Sequence, residues 1–151
     1  MNSKLKLLAV ASKGGHWEQL MLLSNVLEAY ESSFATTSTV QSQYRIDGEF
    51  WTLPDCNKSQ PIRSFWCFLS ALILIARVKP DVVVSTGAAP GLFCILAGRL
   101  FGARTLWIDS IANAERLSRC GAIANHVAHN CLTQWPHLAG RNGPQFAGAV
   151  L

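Results

Sequence analysis

The chain alternates between short apolar runs and longer segments in which apolar residues recur every three or four positions. The first run covers residues 5–10, and the segment 17–30 follows it with Leu20, Leu23 and Leu27 on one helical face. Short continuous apolar runs are typical of strands buried in parallel sheets, and the longer spacing is typical of helices. This alternation predicts an α/β fold.

The same pattern continues along the rest of the chain. It predicts further strands at residues 34–40, 50–53, 81–85, 104–108, 126–133 and 146–151, and further helices at residues 64–76 and 92–101. Polar stretches with proline or glycine predict loops at residues 41–49, 54–61 and 86–91, a loop with a short helix at 112–124, and a turn at 135–137. We therefore expect one doubly wound α/β domain over residues 1–151, with its site where the loops after the strands converge.

The turn at residues 11–16 is the first candidate site. Its two glycines, Gly14 and Gly15, let the backbone approach a ligand closely, Lys13 adds a cation, and His16 adds a titratable ring. Free N–H groups at the start of the following helix favour an anion, so the turn predicts a phosphate site. The alternative is a tight turn that merely requires glycine, because a pair of glycines is less specific than a full dinucleotide-binding motif.

The segment at residues 64–76 is unusual because none of its thirteen residues is charged. It is shorter than the roughly 20 residues of a spanning helix. One alternative is a helix in the membrane interface, with Trp66 at the boundary and Arg63 and Arg77 reaching anionic headgroups. The other is a core helix buried against the sheet. The candidate membrane residues are Phe65, Trp66, Phe68, Leu69 and Leu72.

Composition narrows the possible partners. Half of the residues are apolar and 15% are charged, against about 25% charged in average soluble proteins, so we expect a bilayer or another subunit to cover part of the surface. The net charge of +4 favours an anionic partner such as a membrane, whereas the scattered basic residues argue against nucleic acid. Five widely spaced cysteines favour a reducing cytosol, and the first residues do not predict a signal peptide.

Four motifs, taken in order, resemble a known family. They are SKGGHWEQL at 12–20, DVVVSTGAAPG at 81–91, WIDS at 107–110 and LTQWP at 132–136. Together they resemble the PssD/CpsF family of bacterial exopolysaccharide proteins. That family is similar to the membrane-anchoring subunit of the eukaryotic two-part transferase that adds the second GlcNAc to a dolichyl-diphosphate sugar. It is also similar to the N-terminal half of MurG, a GT-B glycosyltransferase that acts on a lipid diphosphate.

The resemblance implies a fold, an activity and partners. The fold would be a single Rossmann-like sheet equivalent to the N-terminal, acceptor-binding half of a GT-B enzyme. The chain would be a glycosyltransferase subunit of exopolysaccharide or capsule synthesis, active with a catalytic, donor-binding subunit of the PssE/CpsG kind. The pair would transfer a sugar from a UDP-sugar to a polyprenyl-diphosphate-linked acceptor at the cytoplasmic face of the plasma membrane. GT-B enzymes generally need no metal, and we expect no cofactor.

The resemblance also assigns roles to residues of the first turn. Gly14 and Gly15, with Ser12 and Lys13 beside them, match the family's glycine loop near the acceptor diphosphate or the interdomain cleft. His16 matches a histidine that is a candidate base for the acceptor hydroxyl, since imidazole titrates near neutral pH. The alternative is that His16 caps the helix or binds a phosphate.

The remaining site residues follow later strands or lie in the first helix. Glu18 would orient the imidazole or act as the base itself. The other substrate-binding candidates are Thr86, Gly87, Pro90, Asp109 and Ser110. The sequence departs from the eukaryotic anchor subunits at Asp109, where they commonly have glutamate, and in lacking their spanning helix, so that membrane attachment would depend on residues 64–76.

Two other functions compete with this interpretation. The chain would be a pure membrane scaffold if it recruited its partner without contacting substrate. A Rossmann-type oxidoreductase is disfavoured, because the first loop lacks G-x-G-x-x-G and no acidic residue clearly ends the second strand to hold a ribose. His126 and His129 are three residues apart, but without a third ligand at fitting spacing we interpret them as structural and expect no metal site.

Overall fold

Strands and helices alternate through the part of the chain that the computed structural model describes, which is residues 3–39, 46–57 and 59–150. The strands are β1 (Lys6–Val10), β2 (Glu31–Thr36), β3 (Glu49–Thr52), β4 (Val82–Ser85), β5 (Arg104–Ile108), β6 (Asn130–Thr133) and β7 (Gln145–Phe146). The helices are α1 (Gly15–Met21), α2 (Ser24–Leu27), α3 (Pro61–Val78), α4 (Ala88–Leu100) and α5 (Arg119–Val127). A 3₁₀ turn covers Pro136–Leu138.

The described strands form one sheet in the order β3-β2-β1-β4-β5-β6-β7, and all neighbours pair in parallel. The strand order reverses between β1 and β4, and in open α/β sheets ligands bind at such a point, outside the carboxyl ends of the strands. Val10 pairs with Ser85, so the loops after these two strands begin at the same level. The predicted fold class, a single Rossmann-like α/β domain with a parallel sheet, is confirmed.

Each face of the sheet has its own apolar core. On one face, α3, α4 and α5 cover a cluster that includes Trp107, Ile75 and Ile95. On the other face, α1 and α2 cover a cluster in which the rings of Trp17 and Phe34 meet edge to face. Successive side chains of a strand point to opposite faces. The continuous apolar runs of β1 and β4 are therefore buried on both sides.

The predicted helix at residues 17–30 is wrong in its continuity, because the structure divides it into α1 and α2. At the break, the N–H of Leu23 donates to the carbonyl of Leu20, three residues back, which winds the chain more tightly than an α-helix. Ser24 and Asn25 follow the break. Both have low helix propensity because their side chains compete for backbone hydrogen bonds.

Other element boundaries also differ from the prediction. Helix α4 begins at Ala88, inside the predicted loop 86–91. Pro90 is compatible with this start, because the N–H groups of a first helical turn have no acceptor within the helix and proline has no N–H. Strand β6 begins only at Asn130, because α5 continues through Val127.

The second and the last predicted strands are also displaced. Strand β2 runs from Glu31, three residues earlier than predicted, because its polar first half pairs with the start of β1. Strand β7 is only two residues long and begins one residue early. Residues 40–45 and 58, which end the predicted second strand or belong to predicted loops, and residue 151 lie outside the described residues.

Helix α3 is a core helix that is also apolar on its outer face. Its buried side chains are Cys67, Ala71, Leu74 and Ile75. Its exposed large apolar side chains are Ile62, Phe65, Trp66 and Ile73. Among the described helices, α3 has the length and hydropathy to cross a membrane. Core helices of soluble proteins meet the same criteria but are mostly buried, whereas 22% of α3 is buried inside the protein.

The candidate membrane residues divide between these two faces of α3. Phe65 and Trp66 are exposed, whereas Phe68 and Leu72 face inward, with Phe68 against Phe93 of α4 and Leu72 against the core. Leu69 is half-buried. One face of the helix therefore packs against the protein, as both alternatives expect, and the structure does not choose between them.

The cysteines are free thiols that take no part in a site. Burial raises the pKa of Cys94 and Cys131 to about 12, and it also raises the pKa of Cys56, Cys67 and Cys120. Thiols with raised pKa values carry almost no thiolate at neutral pH, and the thiolate is the nucleophile. The described cysteines are therefore structural.

We predict that Gly98→Ala destabilises the fold although it lies within a helix. Alanine improves helix propensity by about 1 kcal/mol, but its Cβ would lie 2.7 Å from Cγ2 of the buried Val83. Overpacking of this kind costs about 1–3 kcal/mol, so the free energy of unfolding in urea should fall. Gly140→Ala, where no atom lies within 4 Å of the added Cβ, is the control, and an equal effect of both substitutions would contradict the packing argument.

Candidate functional site

The loops after β1 and β4 meet at the point where the strand order reverses. The N–H of Thr86 reaches the carbonyl of Val10 at 3.4 Å, which joins the two loops at their origin. Gly14 precedes α1 with φ at 81°, a left-handed conformation that favours glycine. Helix α1 begins at Gly15 and has seven residues. The predicted glycine turn thus lies at the expected edge of the sheet.

His16 is bound to the second loop by two hydrogen bonds. Its Nδ1 lies 3.1 Å from the carbonyl oxygen of Thr86, and the Thr86 hydroxyl donates to the carbonyl of His16 at 2.7 Å. A carbonyl oxygen only accepts, so Nδ1 is the donor in the first bond. The two glycine-containing loops are therefore linked through one imidazole.

The backbone of the second loop is shaped to the imidazole ring. A Cβ at Gly87 would collide with Nδ1 and Cε1 of His16. Gly87 has φ at 146° and the next residue, Ala88, has φ at 68°. A left-handed residue that is not glycine costs about 1–2 kcal/mol, and backbone strain of this kind concentrates at functional sites.

Lys13 lies on the exposed part of the first loop. Its ammonium group is 3.7 Å from the carboxylate of Asp55, and both side chains are more than half exposed. Its backbone N–H donates to the Thr37 hydroxyl at 3.0 Å. An exposed ion pair contributes about 0–1 kcal/mol, so the ammonium group can exchange Asp55 for another anion at little cost.

Asp109 is buried at the end of β5, with 2% of its surface exposed. One carboxylate oxygen accepts from Trp107 Nε1 at 3.0 Å and from the Ser118 hydroxyl at 2.6 Å. The other accepts from Asn113 Nδ2 at 3.1 Å and from the Ser118 N–H at 2.9 Å. A carboxylate has about four acceptor positions. A substrate would have to displace one of these donors to contact Asp109 directly.

Two buried glutamines that the sequence analysis did not single out complete this edge of the sheet. Gln19 of α1 donates to the carbonyl of Asp109 at 3.4 Å and accepts from Ile111 N–H at 3.2 Å. Gln134, after β6, donates to the same carbonyl at 3.0 Å and accepts from Val150 N–H at 3.1 Å. Both lie in motifs that carry the family resemblance, at 12–20 and 132–136, but the motifs alone do not reveal their roles, because their partners are backbone groups distant in the chain.

A cleft of about 410 Å³ opens between α1 and the segment after β5. Three of the predicted site residues, Gly15, Glu18 and Ser110, line it together with Ile111 and Val150. Glu18 is exposed and Ser110 is half-buried, so both offer polar groups to a ligand. A cleft with one carboxylate, one hydroxyl and apolar walls is suited to a sugar-sized molecule.

The other predicted site residues divide between this edge and the interior. His16, Thr86 and Gly87 form a cluster beside the cleft, and Lys13 and Gly14 are exposed on the first loop. Ser12, Pro90 and Asp109 are buried. Thr86 and Gly87 are buried as well, so that of these residues Lys13 and Gly14 are the exposed ones that a ligand can reach and His16 is half-buried.

The described residues contain no group of three or more histidine, cysteine or acidic side chains that could hold a metal ion. His129 instead binds Thr105, with Nδ1 2.9 Å from the threonine hydroxyl. Desolvation and the nearby positive charges of Arg99 and Arg104 lower the pKa of His129. His126 lies in the last turn of α5.

Comparison with known proteins relates the chain to a glycosyltransferase subunit. It is similar in sequence to the UDP-N-acetylglucosamine transferase subunit ALG14 of Mus musculus, with 24% identity over an alignment of 169 positions. The alignment covers 89% of this chain and 77% of the relative. ALG14 of Yarrowia lipolytica is 25% identical over 91% of this chain and 77% of its own length. No protein-family model matches the chain, so membership of the PssD/CpsF family stays a prediction.

Solved structures share the fold. MurG of Acinetobacter baumannii superposes with a TM-score of 0.74 at 17% identity over 96% of this chain and 44% of its own. UDP-N-acetylglucosamine 2-epimerase of Rickettsia bellii superposes with a TM-score of 0.69 at 12% identity over 89% of this chain and 40% of its own. The chain thus spans less than half of these proteins, and the likeness shows the fold alone. The predicted similarity to MurG is confirmed at that level.

We predict that Asp109→Asn destabilises the fold. The asparagine amide would replace one accepting oxygen with a donor that faces other donors, and hydrogen bonds to a charged group contribute about 1.5–3 kcal/mol each. We expect the free energy of unfolding to fall by about 2 kcal/mol or more. Asp81→Asn is the matched control, because the exposed carboxylate of Asp81 accepts one bond, from Lys6 N–H at 2.9 Å. Equal losses in the two variants would refute the role given to Asp109.

Proposed function

We propose that this chain is the acceptor-binding, membrane-associating subunit of a two-component glycosyltransferase. The observation that carries the proposal is the similarity to ALG14, a transferase subunit, over 89% of the chain. The MurG-like fold and the cluster at the carboxyl edge of the sheet support it. A transferase subunit acts together with a partner chain, and we propose that the partner holds most of the nucleotide-sugar site.

The proposed reaction is a direct displacement at the anomeric carbon of the donor sugar. An acceptor hydroxyl loses its proton to His16 as its oxygen bonds to that carbon, and the bond to the nucleoside diphosphate breaks. The proton leaves from the imidazolium to water afterwards. A positioned base of this kind contributes about 10²- to 10⁴-fold to the rate. Glu18, exposed on the same helix as His16, is the alternative base.

The acceptor is proposed to be a polyprenyl-diphosphate-linked sugar. Lys13 and the backbone of Gly14 and Gly15 would bind its diphosphate, and the cleft lined by Glu18 and Ser110 would take its sugar. Because α1 has only seven residues, the Lys13 ammonium group would supply more of the attraction than the helix dipole. Asp55 would release Lys13 when the diphosphate binds.

The outer face of α3 supports the membrane part of the proposal. Ile62, Phe65, Trp66 and Ile73 recur at intervals that place them on one side of the helix, and Ile62 is 74% exposed. Arg63 and Arg77 flank this stripe and would attract anionic headgroups. Since the opposite face of α3 belongs to the core, the helix would lie in the membrane interface and would not span the bilayer.

The resemblance to the PssD/CpsF family supports a setting in polysaccharide synthesis. The donor would be a UDP-sugar, the partner a PssE/CpsG-like subunit, the product an exopolysaccharide or capsule intermediate, and the location the cytoplasmic face of the plasma membrane. A scaffold that only recruits the partner is the competing function. The hydrogen bonding of Asp109 favours the scaffold. All four of its acceptor positions are occupied by donors of the protein, so none is left for a substrate.

The first test is glycosyl transfer to a polyprenyl-diphosphate sugar in membranes that hold this chain alone, the candidate partner alone, or both. We expect transfer only with both. In the complex, His16→Ala should reduce turnover by about 10²-fold or more while the two chains still copurify. A scaffold would leave turnover intact in that variant.

His126→Ala is the control, because His126 is an exposed histidine that lies in α5, away from the cluster. Glu18→Gln tests the alternative base, and Glu28→Gln, at another exposed glutamate, is its control. Full transfer by the partner alone would reduce this chain to an enhancer. Transfer by this chain alone would contradict the proposed division of the sites.

The second test is binding to vesicles that contain anionic lipid. We predict that Phe65→Ser with Trp66→Ser reduces binding at least tenfold, or about 1.4 kcal/mol, without unfolding the protein. Arg63→Gln should reduce binding by about fivefold at low salt, since each cation near the surface contributes about 1 kcal/mol. Val26→Ser, an exposed apolar residue of α2 on the other face of the sheet, is the control and should bind normally.

A further inference from the structure

The loop after β4 contacts the imidazole of His16 and not the cleft. Thr86 is fully buried, and neither Thr86 nor Gly87 lines the cleft between α1 and the segment after β5, whereas His16 follows Gly15, which does line it. Both residues instead touch His16, one by hydrogen bonds and the other by van der Waals contact. Their contacts are therefore those of residues that hold another side chain.

The direction of the hydrogen bond fixes the tautomer of the ring. The Thr86 carbonyl oxygen accepts only, so the neutral imidazole that makes this bond carries its proton on Nδ1. Nε2 then has a free electron pair. Within the described part of the chain no hydrogen-bond partner is found for Nε2.

The shape of the loop limits the ring to this position. Gly87 has no side chain, and any Cβ there would occupy the space of Nδ1 and Cε1. The Gly87 N–H reaches the hydroxyl of the fully buried Ser85 at 3.3 Å, which ties the loop to the end of β4. The left-handed backbone of Ala88 shows that the loop keeps this course at a cost in energy.

We propose that Thr86 and Gly87 are positioning residues that hold His16 in the tautomer with Nδ1 protonated and Nε2 free. The catalytic consequence of this tautomer rests on the proposed function. Nε2 is then the atom that takes the proton from the acceptor hydroxyl, and the resulting imidazolium keeps its Nδ1–H bond to the Thr86 carbonyl. The loop acts through His16 and needs no contact with the sugar.

The tautomer is measurable without substrate or partner. A long-range ¹H–¹⁵N correlation spectrum of the full ¹⁵N-labelled chain, at a pH at which imidazole is neutral, distinguishes a protonated from an unprotonated ring nitrogen. We expect His16 to show protonated Nδ1 and unprotonated Nε2. The opposite assignment in the unmodified protein overturns the inference by itself.

A glycine substitution tests the shape of the loop. In Gly87→Ala the added methyl group should displace the ring, and the Nε2-protonated tautomer should replace the original one. Gly102→Ala is the matched control, since Gly102 also has a left-handed φ, 85°, but no atom lies within 4 Å of the added Cβ. Both variants strain the backbone, so a shift in the tautomer of Gly87→Ala alone supports positioning, and an unchanged tautomer in a folded Gly87→Ala overturns it.

Kinetics of the complex with its partner separate positioning from substrate binding. Thr86→Val keeps the carbonyl that accepts from Nδ1 but removes the hydroxyl that donates to the His16 backbone carbonyl. The ring should then lose its exact position, so kcat should fall between about tenfold and a hundredfold with KM unchanged, and Thr86→Ser should restore kcat. A rise in KM alone would make Thr86 a substrate ligand and overturn the inference. If the expected tautomer occurs in a complex that transfers no sugar, the proposed function fails and the positioning stands.

Discussion

The pairing of β1 with β4 is the constraint on which the site depends. Because Val10 and Ser85 lie side by side in parallel strands, the two loops that follow leave the sheet at the same level and in the same direction. His16 then reaches Thr86, seventy residues further along the chain. Loss of this register by one residue would turn the side chains of β4 to the wrong face and separate the loops.

The sequence allowed the strands and the site edge to be predicted because both depend on local signals. Apolar runs identify the central strands, and two glycine-containing loops after β1 and β4 identify the switch point. The division between α1 and α2 was not predictable from spacing, since Leu20, Leu23 and Leu27 fit one helix as well as two. Ser24 and Asn25 mark the break by their low helix propensity, a weak signal beside the helical spacing of the leucines.

Asp109 shows the limit of the prediction for the site. Its place at the end of β5 followed from the strand pattern, but the four donors around it come from Trp107, Asn113 and Ser118 after the chain folds back. Gln19 and Gln134 were missed for the same reason. Their partners are backbone groups whose positions no single-sequence pattern records, so local motifs locate such a site without stating which residues support it.

Helix α3 has a consequence for the orientation of the whole subunit. It begins after the carboxyl end of β3 and ends just before the amino end of β4, so it runs antiparallel to the strands. If its outer stripe rests on a bilayer, the strands lie parallel to the membrane plane and the cleft opens sideways along the surface. Because α1 packs on the opposite face of the sheet from α3, the cleft beside α1 would lie above the headgroups, and the diphosphate of a lipid-linked acceptor would have to rise out of the surface to reach it.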